Sequence, residues 1–160
     1  FRTSVSELPT FIYSKDVAED GREVTIGDNY FWLFRADNQA LDLPDSGRFQ
    51  FELQNGFVGF VSTDQNLIKS MSPGEIDDAT LIIDFADRNF LTDISFSHQI
   101  GGSYRISVKG DIDQQGVFRG ADGRGGSAAG VLSNDGNNAG MNFLRRTYKG
   151  DFVGITEWSR

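Results

Sequence analysis

The chain contains no cysteine, which excludes thiol chemistry, disulfide staples and cysteine-ligated zinc. It has one histidine, His98. A Ser-His-Asp machine would have to be built on that single ring, and a mononuclear zinc or iron site would lack its second imidazole. Proline is scarce, at 3 residues, and no run approaches the ~20 apolar residues of a membrane-spanning helix. Basic residues are outnumbered 15 to 23 by acids, for a net charge of −8. Such a surface repels phosphate, so nucleic acid is not expected as a partner and anionic membranes are disfavoured. The densest basic spot, Arg145, Arg146 and Lys149, reads as a solvated strand end. The first residue is Phe1 and not Met, which reads as a processed or excised piece of a longer protein.

What the chain does have is phenylalanine, 14 residues of it, and alternation of period 2. Phe49, Phe51 and Leu53 share one parity, with Arg48, Gln50 and Glu52 on the other. Asn55-Gly56 follows, a dipeptide suited to a tight hairpin turn, and then a second apolar stretch over 57–62. A second hairpin is expected over 80–98. Leu81, Ile83 and Phe85 alternate, 86–89 supply turn residues, and Phe90, Thr92, Ile94 and Phe96 alternate again, which would set Phe85 opposite Phe90. Gly101-Gly102 then turns the chain into a strand at 104–112. The last third is glycine-rich, with strands expected around Val117-Phe118 and over 126–133, 139–143 and 150–158. Glycine in such strands permits the bulges and coiling that a closing sheet needs. The first 45 residues are less regular: short strands at 11–13, 23–26 and 30–35, turns at 20–21 and 27–29, and a connection at 41–46 holding Pro44. A helical turn is expected only near 64–69.

Chemistry has few places to sit. His98 shares the parity of Ile94 and Phe96 at a strand end and reads as a rim histidine. Asp84 and Asp93 lie on the polar face of one hairpin, and a glycosidase pair would need them about 5–10 Å apart in a cleft. Solvated polar-face residues are the expected role. Asp111-Ile112-Asp113-Gln114-Gln115-Gly116 imitates the opening of a calcium loop, but the ninth place is Arg119 and the twelfth is the short acid Asp122. Gly120–Gly126 resembles a phosphate cradle without the helix that would complete it. No catalytic residue, metal ligand or cofactor is assigned, and the chain reads as a non-enzyme.

Binding has better leads. In Tyr30-Phe31-Trp32-Leu33-Phe34, a strand would put Tyr30, Trp32 and Phe34 on one face and Phe31 and Leu33 on the other, so both faces are apolar. Either the strand is buried on both sides or one face meets a partner. The loop Asn134-Asp135-Gly136-Asn137-Asn138 is the other lead, a polar loop of residues tolerant of left-handed backbone. The candidate contact residues are therefore Tyr30, Phe31, Trp32 and Phe34, with Asn134, Asp135 and Asn137.

From Leu43 to Trp158 the order of features resembles the transferrin-binding-protein-B-like β-barrel, in the version found C-terminally in some bacterial FecR-domain proteins. The matching features are Leu43-Pro44-Asp45-Ser46-Gly47 leading into Arg48-Phe49-Gln50-Phe51, then Ala79-Thr80-Leu81-Ile82-Ile83-Asp84-Phe85 with its hairpin. The strand at 104–112, Gly116-Val117-Phe118-Arg119-Gly120, the stretch from Gly126 to Phe143 and Gly150-Asp151-Phe152-Val153-Gly154 follow. The likeness departs at 133–138 and over the first forty residues. It implies an eight-stranded barrel filled by side chains, and an exported surface-lipoprotein or periplasmic module without catalytic residues. The handle domain that contacts transferrin in the namesake proteins is not recognisable, so transferrin binding does not carry over.

The expected architecture is thus all-β: a single antiparallel barrel of about eight strands over 43–160, with an irregular N-terminal segment, 1–42, packed on it. The expected role is contact with another protein or with another domain of its parent protein, outside the cytoplasm and without membrane insertion. A lipocalin-like carrier of a small apolar ligand is the alternative, and a carbohydrate-active hydrolase using Asp84 and Asp93 a more distant one. Inward-parity Phe49, Phe51, Phe85, Phe90 and Phe96 favour a filled barrel over a carrier.

Overall fold

The computed structural model describes residues 22–27, 30–36, 40–63 and 71–160. The strand expected at 11–13, the turns at 20–21 and 27–29 and the helical turn at 64–69 fall wholly or partly outside them. Among the described residues the elements are all strands: β1 (Arg22–Gly27), β2 (Trp32–Ala36), β3 (Arg48–Ser62), β4 (Met71–Pro73), β5 (Glu75–Asp84), β6 (Asn89–His98), β7 (Gly102–Ile112), β8 (Val117–Ala121), β9 (Gly126–Leu132), β10 (Asn138–Arg146) and β11 (Gly150–Ser159). From β5 to β11 each strand pairs antiparallel with the next, and β3 joins β5 to β11, closing an eight-stranded barrel. The short β4 adds to β3 outside that circuit. Closure gives every strand of the circuit a neighbour on both sides, so none stands at the end of the sheet.

The alternation expected from the sequence is what fills the interior. Leu81 and Ile83 on β5, Phe90, Ile94 and Phe96 on β6, and Ile106 and Val108 on β7 are all buried in one cluster. Trp158 and eight phenylalanines (51, 60, 85, 90, 96, 118, 143 and 152) are fully enclosed in that cluster. Segment 40–47 lies across one end, where Leu43 packs on the cluster and the Asp42 amide donates to the Asn134 carbonyl at 2.7 Å. Arg160 covers the same end, its guanidinium 4.3 Å from the Phe49 ring centre.

Two expectations need correction. No hairpin forms at Asn55-Gly56: β3 runs unbroken for 15 residues. Its second half is held by β11, which pairs with it from Glu52 to Ser62, and a register shift opposite Glu157/Trp158 leaves Gln54 as an extra residue. That bulge switches the inward parity from Phe51 to Val58 and Phe60, so two apolar runs of opposite parity belong to one strand. The second correction is one of register. Phe90 pairs with Ile83, and the ladder closes at Asp84 and Asn89. Asp84 Oδ1 accepts the amides of Ala86 and Asp87, both at 3.0 Å, and Arg88 takes a φ of 51°. The turn is therefore capped by Asp84, and Phe85 swings from it into the barrel end.

A second apolar cluster sits outside the barrel wall. Phe31 and Leu33 of the N-terminal segment bury themselves against Val117, Ala129, Val131, Leu144, Val153 and Ile155. Polar ties fix the hairpin in place: Asn142 Nδ2 donates to the Phe31 carbonyl at 3.1 Å, and Arg35 Nη1 to the carbonyls of Gln115 and Leu132 at 2.6 and 3.2 Å.

Candidate binding surface

His98 stands at the barrel rim, stacked on Phe60 with ring centres 4.9 Å apart. Its Nδ1 accepts the amides of Ile100 and Gly101 at 3.2 and 3.0 Å, which places the proton on Nε2, 2.8 Å from Ser72 Oγ. An imidazole with its lone pair occupied by backbone and its N–H directed at the hydroxyl is set up to hold a turn, not to take a proton from Ser72.

The carboxylates are dispersed and engaged. Asp93 forms a two-pronged pair with Arg105 at 2.5 and 2.6 Å. Asp93 is opposite Thr80 and Asp84 opposite Asn89, four ladder steps or ~13 Å along the sheet, too far for a glycosidase pair. The calcium-like stretch is also split. Asp113 caps the β7–β8 turn through the amides of Gln115 and Val117 at 2.8 and 3.0 Å. Asp122 lies at the other end of β8, accepting from Arg124 and Gly126 and paired with Arg145 at 3.1 Å. Among the described residues no group of three His, Asp or Glu could hold a metal ion, and no helix is long and apolar enough to cross a membrane.

The loop residues singled out from the sequence come together, but as a latch. Asp135 Oδ1 accepts from Ser133 Oγ at 2.6 Å and the Asn137 amide at 3.0 Å, and its Oδ2 from Asn137 Nδ2 at 2.7 Å. Asn137 in turn accepts from Arg160, through both the amide and Nε at 3.0 and 2.9 Å. These donors, the Ser133 hydroxyl first, hold the Asp135 carboxyl down to about 2 from an ordinary 3.8. A depressed carboxyl stabilises the fold above its unfolded value and loses that contribution as pH falls through the folded one. The loop should therefore keep its tie through about pH 4 and release it as pH falls through about 2. An NMR titration of the Asp135 carboxyl and the Asn137 amide checks this. A midpoint near 4 would show that the tie does not form.

The aromatic strip is divided by the fold. Phe31 and Leu33 face the barrel and are buried, and Tyr30 is half-buried against the same cluster. Trp32 and Phe34 lie on β2, and their side chains fall outside the described residues. The strip does not end at the hairpin: Phe57 of β3 meets Phe31 edge-on, ring centres 5.8 Å apart, and stays 39% exposed. With Ile155 opposite it on β11, Phe57 borders a cleft of about 230 Å³ that the exposed residue Glu157 also lines. Phe57 was absent from the sequence-derived site, although its parity, opposite to Val58 and Phe60, marked it as the aromatic facing outward.

No protein-family model matches the sequence, and no curated protein matches it. Solved structures do. A mutant of Transferrin Binding Protein B (TbpB) from Haemophilus parasuis Hp5 superposes with a TM-score of 0.54 at 13% identity, over 86% of this chain and 32% of that one. The fold is that of the TbpB β-barrel. Intact Ap-TbpB, with its N and C lobes, gives 0.53 at 13% identity over 89% of this chain and 31% of that one. A TbpB double mutant from the Haemophilus protein gives 0.52 at 11% over 99% and 38%. The chain thus spans about a third of the length of each TbpB chain.

Proposed function

We propose that this barrel is a non-catalytic binding module of an exported bacterial protein, working by contact with another protein or with another domain of its parent. The observation that carries it is the distribution of apolar surface. The interior is occupied by Trp158 and eight phenylalanine rings, while an aromatic cleft stays open on the outer wall beside the N-terminal hairpin. A carrier would have the reverse arrangement. TbpB, whose barrel this chain shares, is named for binding transferrin and is a vaccine antigen. That supports a protein partner and a place outside the cytoplasm for this chain. The contact surface centres on Tyr30, Phe31 and Phe57.

A photo-crosslinking amino acid at position 57, in the cells that make the protein, should give a discrete protein adduct. The same group at exposed Leu91, away from the cleft, should not. An absence of any adduct at 57, with a stoichiometric small apolar molecule extracted from the purified protein, would return the carrier reading to first place.

A further inference from the structure

We infer that the outer-wall cleft beside Phe57 is a seat for a cationic side chain, arginine or lysine, carried on an extended apolar segment of the protein partner; this rests on the protein-binding reading above. The walls are apolar: Phe31 and Ile155 are buried, Phe57 is partly exposed, and Gly56 lines the cleft without a side chain. A long basic side chain suits such a slot because its methylene stem lies on apolar surface while its head seeks charge or an aromatic face.

The charge is supplied at one end. Glu157 lines the cleft, is exposed, and faces the uncharged Asn55 and Gly140 across its two ladders. Glu52 stands on the same outer face, opposite Ser159, one diagonal step away or ~7–8 Å. Neither carboxylate has a cation partner among the described residues. Arg35 borders a neighbouring cleft that Glu157 also lines, and its Nη1 is directed to the Gln115 and Leu132 carbonyls. Arg160 is taken up by Asn137 and the Phe49 ring. Two uncompensated carboxylates beside an aromatic slot, in a chain of net charge −8, select a cation and steer it in from a distance.

The test uses the full chain, isotopically labelled for NMR, and three blocked pentapeptides that alternate leucine with arginine, glutamate or glutamine. The arginine peptide should shift the Ile155 methyl and the Gly56 and Phe57 amides, and bind more weakly as salt is raised. Glu157→Gln should loosen it about threefold to fivefold, the size of one exposed charge contact. Being an exposed substitution, it should leave the spectrum otherwise unchanged. Equal binding of all three peptides, no effect of E157Q, or shifts at the exposed Ile100 and Tyr148 tips instead of the cleft would each overturn the inference. A crosslink at position 57 to a partner surface without a basic residue would defeat the cationic seat and leave the protein-binding reading standing. Arginine-peptide binding at the cleft with no adduct in cells would do the opposite.

Discussion

Phe152→Ala should cost the domain about 3–5 kcal/mol, a large share of the 5–15 kcal/mol that typically holds a single domain together. Phe152 is fully buried and touches more of the interior rings than any neighbour whose ring contacts are described. Its centre lies 5.0 Å from Phe60, 4.9 Å from Phe96 and 5.4 Å from Tyr104, with His98 edge-on at 6.4 Å. These rings come from three different strands and cannot all close over the void, because each is held by its own ladder register. The loss should appear in urea unfolding as a lower midpoint with an unchanged slope. A cost under about 1 kcal/mol would mean the interior is loosely filled, which is what a carrier requires.

The same variant separates binding module from carrier in a second way. A cavity lined by Phe60, Phe96 and Tyr104 is apolar and should take up benzene-sized probes. In the unmodified barrel, ring centres 4.8–5.3 Å apart at Phe90–Phe118, Phe60–Phe152, Phe96–Phe152 and Phe96–Phe143 leave no such room between these rings. Uptake by the variant alone is the expected result.

Much of this fold was legible because antiparallel strands with filled interiors write themselves as period-2 patterns. Leu81, Ile83, Phe90, Ile94, Phe96, Ile106 and Val108 read correctly from alternation alone, since each strand there is paired with its immediate chain neighbour. The failure at Asn55-Gly56 has a physical cause. The dipeptide favours a hairpin locally, but β11, some hundred residues later, pairs with β3 straight across it, and long-range pairing overrides the local preference. The bulge at Gln54 then disguised one strand as two by reversing its parity. Side-chain engagement was harder still to read. Asp84, Asp113, Asp122 and Asp135 look alike as loop acids, and only backbone geometry shows each one accepting amides of its own turn. The aromatic strip was visible as a run. Its continuation into Phe57 was not, because that contact joins residues 26 positions apart across the barrel wall.

Glycine in the late strands turns out to have a second use besides curvature, and Gly154→Val should expose it by unfolding the domain or costing it about 3 kcal/mol or more. Gly154 pairs directly with Phe143, and Gly130 directly with Phe118. In both pairs the phenylalanine ring leans over the glycine and occupies the space a side chain would need, so an added Cβ would fall within the ring. Neither glycine has a positive φ, so the constraint is close approach and not backbone conformation. The interior needs it. An eight-stranded barrel has little volume, and rings as large as Phe143 and Phe118 fit only where the facing position is empty. A double-mutant cycle makes the point testable. Gly154→Ala alone should destabilise by about 1–3 kcal/mol, as overpacking does. With Phe143→Ala already present, the same change should be neutral or stabilising by up to about 1 kcal/mol, because alanine holds a strand better than glycine once the ring is gone. Costs that simply add would mean that Phe143 does not rest on Gly154.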